Sequence, residues 1–165
     1  MDARTSTKED IERMAAVVSL SDVIEAIESA NNESASYLDP DTGEIVYVTD
    51  EMRRRVENDE IDDAPQWMRD DLPKVREALE SNRFLILPTK RDVHEWAIMD
   101  EFSREQKNDR VREELLDAIH GSDAFRTFKS TIRRLGIEKA WYRFRDEAIK
   151  EIAREWLEEN HLRYK

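Results

Sequence analysis

The stretch Tyr37-Leu38-Asp39-Pro40-Asp41-Thr42-Gly43-Glu44-Ile45-Val46-Tyr47-Val48 reads as a β-hairpin in a chain otherwise patterned for helices. Pro40 fixes φ for the first corner of a type I turn, and Gly43 can take the left-handed position that closes such a loop. The flanking residues give strands over 35–38 and 44–49. Phe84-Leu85-Ile86-Leu87-Pro88 supplies another short strand, stopped by its proline. Three strands are enough for a small antiparallel sheet.

Outward from the hairpin, the apolar spacing turns helical. Leu20, Val23, Ile24 and Ile27 fall at i, i+3, i+4 and i+7, with Ser19 or Ser21 as N-cap and Asp22 and Glu25 in the first turns. Val17-Val18 is a brief β-prone step, and residues 1–16 read as a flexible polar tail. After the hairpin, Arg53 to Arg55 and Glu57 to Asp63 read as solvated loop or short helix. Trp67 marks re-entry into ordered structure. Leu72, Val75, Ala78 and Leu79 then share a helical face, with Pro73 tolerable in a first turn.

Beyond residue 90 the pattern is entirely helical. Thr89 can cap a helix presenting Val93, Trp96, Met99 and Phe102, and Asp109 one carrying Val111, Leu115 and Ile119. Ser122 or Asp123 can open a third with Phe125, Phe128, Ile132 and Leu135 inward, stopped by Gly136. The last runs from about Glu138 to Glu159 behind Trp141, Phe144 or Arg145, Ala148, Ile152 and Trp156. The expected fold is a single α+β domain over 17–162: a three-stranded antiparallel sheet and five or six helices, mixed over 17–90 and helical over 91–162. Its expected aromatic core is Phe125, Phe128, Trp141, Phe144 and Trp156, each buried ring contributing roughly 1.5–3 kcal/mol.

A length of 165 residues suits one domain. Charged residues are 40% of the chain, against about 25% in typical domains. The formal charge of −12 is unevenly spread: residues 1–120 carry 16 Lys and Arg against 31 Asp and Glu, while 121–165 carry 11 against 8. Phosphate backbones repel an acidic chain, so general nucleic-acid binding is not expected. With no cysteine, disulfides and thiolate metal sites are excluded and a reducing compartment fits. The first residues lack the apolar centre of a signal peptide, and no apolar run approaches a spanning helix. The expected location is the cytoplasm.

Ala124-Phe125-Arg126-Thr127-Phe128-Lys129, then Trp141-Tyr142-Arg143-Phe144-Arg145-Asp146-Glu147, then Glu155-Trp156-Leu157 form a recognisable series. Leu20-Ser21-Asp22, Tyr37-Leu38-Asp39 with Thr42-Gly43-Glu44, Trp67 and Leu87-Pro88 precede them in the same order. Together these segments, spanning about residues 17–162, resemble uncharacterised protein family 0158 of bacteria. The resemblance implies a bacterial origin and a shared fold, and it transfers no catalytic residue.

Asp39, Asp41 and Glu44 begin like a calcium loop. An EF-hand needs an oxygen ligand at its fifth place and a bidentate Glu at its twelfth, where this chain has Gly43 and Asp50. His94, His120 and His161 are mutually unpaired at helical spacing, and His94-Glu95 lacks the second half of H-E-x-x-H. There is no G-x-S-x-G, and three glycines cannot build a phosphate loop or dinucleotide fingerprint.

The strongest constellation is Arg126, Lys129, Arg133, Arg143 and Arg145 around the aromatic residues. The first three lie at i, i+3 and i+7 on one helical face. The expected function is that of a non-catalytic binding or regulatory protein using this basic face, with no cofactor and another protein as partner. The alternative is a small hydrolase or nuclease with a divalent ion on Asp39, Asp41 and Glu44. The sequence leaves the oligomeric state open.

Overall fold

The computed structural model describes residues 16–165. Most of the expected polar tail over 1–16 therefore lies outside the described residues. The described backbone forms two compact units, residues 16–90 with 153–165 and residues 91–152.

In the first unit, β1 (Val17–Val18) leads into α1 (Leu20–Ser29). Ser19 is the N-cap: its hydroxyl accepts the Asp22 N–H at 3.2 Å, and Asp22 itself lies in the first turn. The expected hairpin follows as β2 (Ser34–Leu38) and β3 (Ile45–Thr49), antiparallel with Ala35 opposite Val48 and Tyr37 opposite Val46. Its turn is closed by Asp39 N–H to Glu44 O at 2.8 Å and Gly43 N–H to Asp39 O at 2.7 Å. Gly43 has φ +76, the conformation for which glycine was expected. Two further helices, α2 (Asp50–Glu57) and α3 (Gln66–Arg69), precede α4 (Leu72–Glu80) and β4 (Leu85–Ile86), which pairs antiparallel with β2.

Val46 and Val48 point to one face of the sheet and join Met52 and Val56 of α2 and Leu72 and Val75 of α4 in a buried cluster. Ile45 and Tyr47 point to the other face, following the period of two. The chain returns to this unit at its end. There β5 (Arg163–Tyr164) pairs parallel with β1, Lys165 N–H reaches Val18 O at 3.0 Å, and Leu20 N–H reaches Lys165 O at 3.2 Å.

The second unit holds α5 (Glu95–Arg104), α6 (Asp109–Ile119), α7 (Ala124–Arg134) and the larger part of α8 (Glu138–Glu159). Phe102 stands at the centre of its aromatic cluster, edge-on to Phe128, Trp141 and Phe144 with centroids 6.2, 5.4 and 5.4 Å away. Phe128 and Trp141 meet edge-on at 4.8 Å. Gly136, at φ +69, ends α7 in a Schellman arrangement: Ile137 N–H reaches Ile132 O at 2.9 Å and Gly136 N–H reaches Arg133 O at 3.1 Å.

The fold is α+β, with a three-stranded antiparallel sheet in the order β3-β2-β4, a small parallel pair and a helical C-terminal region. Among the described residues there are eight helices where five or six were expected. The increase comes from α2 and α3, in the stretch read as loop or short helix. Helix α2 forms because Thr49 caps it, accepting Met52 N–H at 3.2 Å, with Asp50 and Glu51 in its first turn and Arg54 and Arg55 in its last. The expected caps shift too: α5 starts after His94 instead of Thr89, and α6 is capped by Asn108, whose side chain accepts Val111 N–H at 3.2 Å.

Candidate functional site

The basic face is built on α7. Phe128, Thr131 and Ile132 are its buried residues, and Arg126, Lys129 and Arg133 occupy the exposed side. Phe125, expected in the core, is 50% exposed. The reason is angular. At about 100° per residue, Phe125 sits about 60° from Phe128, on the flank leading round to Lys129 and Arg133. Phe125, Arg126, Lys129, Ser130 and Arg133 together line an open groove of about 520 Å³.

The cations on this face are weakly held. Arg126 lies 3.9 Å from Asp123, and Arg133 donates from Nε to Glu138 at 3.2 Å with most of its side chain in solvent. Lys129 makes no ion pair among the described residues. Arg143 is exposed on α8, on the side away from buried Trp141. Arg145 has another role. Its Nε donates to both carboxylate oxygens of Glu95, at 2.9 and 3.2 Å, and both side chains are about three-quarters buried. The structure thus groups Arg126, Lys129 and Arg133 with Phe125, and turns Arg145 into a tie between α8 and α5. Of the remaining expected core aromatics, Phe128 and Trp141 are buried, while Phe144 and Trp156 are partly so.

The hairpin carboxylates are occupied by cations of the chain itself. Asp39 is 1% exposed and takes a bidentate contact from Arg83, Nε to Oδ1 at 3.1 Å and Nη2 to Oδ2 at 3.0 Å. Its Oδ1 also accepts the Asp41 N–H at 2.9 Å. Arg83 reaches Asp41 at 3.3 Å and Glu77 at 2.9 Å as well. Lys74 bridges Glu44 at 3.1 Å and Glu77 at 3.4 Å.

The Arg83 guanidinium holds the Asp39 carboxyl below the usual carboxylate range, against the opposing effect of burial, and it lowers Glu77 in the same way. The hydrogen bond from Lys74 to Glu44 raises the lysine. A divalent ion on Asp39 would have to displace a guanidinium that already satisfies both oxygens. Among the described residues, no group of three or more His, Asp or Glu is arranged to hold a metal ion. The carboxylates stand out in the sequence, whereas Arg83 does not: its only local signal is a position beside the third strand.

The histidines are spread apart. His94 precedes α5, and His161 has φ +57 after α8. His120 Nδ1 donates to Leu116 O at 2.5 Å and its ring stands edge-on to Trp96. Among the described residues, no helix is long and apolar enough to cross a membrane.

No solved structure matches the chain. A UPF0158 protein of Pseudomonas aeruginosa is 26% identical over 84 residues, which cover 50% of this chain and 55% of that protein. The matched region therefore spans about half the length of this curated relative. The profile of the Uncharacterised protein family (UPF0158) matches residues 14–165, nearly the whole chain, and the protein belongs to that family.

Proposed function

We propose that the protein is a non-catalytic binding protein that docks an acidic segment of another protein on the exposed face of α7, in the cytoplasm. The observation that carries this reading is the grouping of Phe125 with Arg126, Lys129 and Arg133 around one open groove. An aromatic ring half in solvent beside loosely paired cations suits a partner that offers carboxylates next to an apolar side chain. Successive cations are separated by roughly 4.5 and 6 Å of helix rise, less than a Debye length of about 8 Å, so neighbours act together on a bound segment. The absence of cysteine supports the cytoplasmic location.

Affinity capture from the native host, with wild type and with Arg126→Glu/Lys129→Glu, tests the reading. Capture of a defined partner should be lost in the double variant while its melting temperature stays within a few degrees, because both positions are exposed. Equal capture by both proteins removes the α7 face from consideration.

A further inference from the structure

Among the described residues the sheet ends in an open edge. Strand β3 is the last in the order β3-β2-β4, so one of its two edges has no strand neighbour among them. The hydrogen-bond ladder fixes which groups point there. Asp39 N–H bonds Glu44 O, and Asp50 N–H bonds Glu33 O, at the two ends of the hairpin. In an antiparallel pair the backbone groups alternate, so residues 44, 46, 48 and 50 turn towards β2. Ile45, Tyr47 and Thr49 turn their N–H and C=O away. Thr49 is used as the cap of α2. Ile45 and Tyr47 make no backbone hydrogen bond on that side among the described residues.

This edge is flanked by space on both faces. One groove, of about 450 Å³, is lined by Ile45, Val46 and Tyr47 together with Asp70, Asp71 and Lys74. The other, of about 600 Å³, is lined by Ile45 and Tyr47 together with Asp22 and Glu25 of α1. Tyr47 is 44% exposed between them. Edge strands invite pairing, and the side chains of an added strand alternate between the two faces of the sheet. One alternate set would enter the α1 groove and the other the α4 groove.

The charges in both grooves select the occupant. Glu44 is already paired with Lys74. Asp22 and Glu25 on one side, and Asp70 and Asp71 on the other, are exposed and make no ion pair among the described residues. Both sets of side chains from an added strand therefore meet two uncompensated carboxylates.

We propose that the open edge of β3 is a β-augmentation site for an extended peptide segment bearing Lys or Arg on both faces, paired through the backbone of Ile45 and Tyr47. This surface is separate from the α7 face and of opposite charge, and it stands whether or not the α7 reading does.

The test is fluorescence anisotropy with labelled octapeptides built of Lys-Lys-Val-Val repeats in two registers, so that both grooves are offered lysines at once. Controls are the same peptides with Glu for Lys, and with N-methyl groups on the alternate amides that would face β3. The expected result is saturable binding of the Lys peptides alone, weakened at least about tenfold by Glu25→Lys/Asp70→Lys. Tyr47→Pro should also weaken binding, since it removes one outward N–H and proline is tolerated at such a position. Circular dichroism melting checks that the variants fold.

Equal affinity for the methylated and unmethylated peptides would overturn the proposal, because charge alone would then explain binding. So would unchanged affinity in the double reversal. A chain that ignores the peptides but sediments as a dimer, dissociated by Tyr47→Pro, would also overturn it and make the edge a contact between copies.

Discussion

Asp39 and Arg83 are joined by two parallel hydrogen bonds, at 3.1 and 3.0 Å, that tie the hairpin turn to the residue before Phe84. The carboxylate is buried and the guanidinium remains partly in solvent. Removing the carboxylate also removes the acceptor for Asp41 N–H inside the turn. Asp39→Ala should therefore lower stability by about 1–3 kcal/mol, read as a fall in the urea midpoint with an unchanged slope. An unchanged midpoint would show that the pair adds nothing to the fold.

The same pair predicts a pH dependence. Arg83 lowers the folded-state carboxyl of Asp39 below its unfolded value, so the folded protein releases this proton more readily than the unfolded chain. The resulting stabilisation is fully present above the unfolded value, about pH 4, and is lost as pH falls through the lower folded value. The stability difference between wild type and Asp39→Asn should therefore be flat from neutral pH down to about pH 5 and shrink below about pH 4. Urea titrations at several pH values measure it. A gap that closes between neutrality and pH 5 would contradict the assignment.

Two phenylalanines three residues apart on α7 should behave differently. Phe128 is 0% exposed and meets Phe102 and Trp141 edge-on, so Phe128→Ala should cost about 3–5 kcal/mol. Phe125 is half exposed, so Phe125→Ala should cost well under about 1 kcal/mol while weakening capture of the α7 partner. Comparable destabilisation by both would return Phe125 to the core.

What the sequence revealed follows from how local each signal is. The hairpin was legible because Pro40 and Gly43 act within their own turn, and α1 because Ser19 and a four-residue apolar set sit side by side. Helix α2 was half legible: its Asp, Glu and Arg residues look like a solvated charge run until their order is matched to the helix dipole. Phe125 was misplaced because a spacing of three still lets a ring fall on the edge of a stripe. The ion pairs were out of reach, since Asp39 and Arg83 stand 44 residues apart and Glu95 and Arg145 stand 50 apart. In a chain with 39 acids, no local pattern marks which carboxylate an arginine will meet. Strand β5 was invisible for the same reason, because its partner β1 lies at the other end of the described chain.

Arg145 should now separate from its neighbours in sequence. A double-mutant cycle over Glu95→Ala and Arg145→Ala should give a coupling of about 1 kcal/mol, above the usual value for exposed pairs because the contact is bidentate and partly buried. Arg126→Ala should leave stability within about 0.5 kcal/mol of wild type. Zero coupling in the cycle would put Arg145 back with the docking cations.

The C-terminal strand gives the last expectation. Lys165 exchanges two backbone hydrogen bonds with β1 and the start of α1, to Val18 O at 3.0 Å and from Leu20 N–H at 3.2 Å. Leu20 N–H belongs to the first turn of α1, where no intrahelical acceptor exists, so Lys165 O supplies the acceptor it lacks. Ending the chain at Leu162 would remove β5 and leave that donor to water. Amide exchange at Leu20 should then accelerate strongly, while Val46 and Val48, bonded within the hairpin, stay protected. If all three amides accelerate equally, β5 holds the whole first unit together; if none does, the parallel pair is absent in solution.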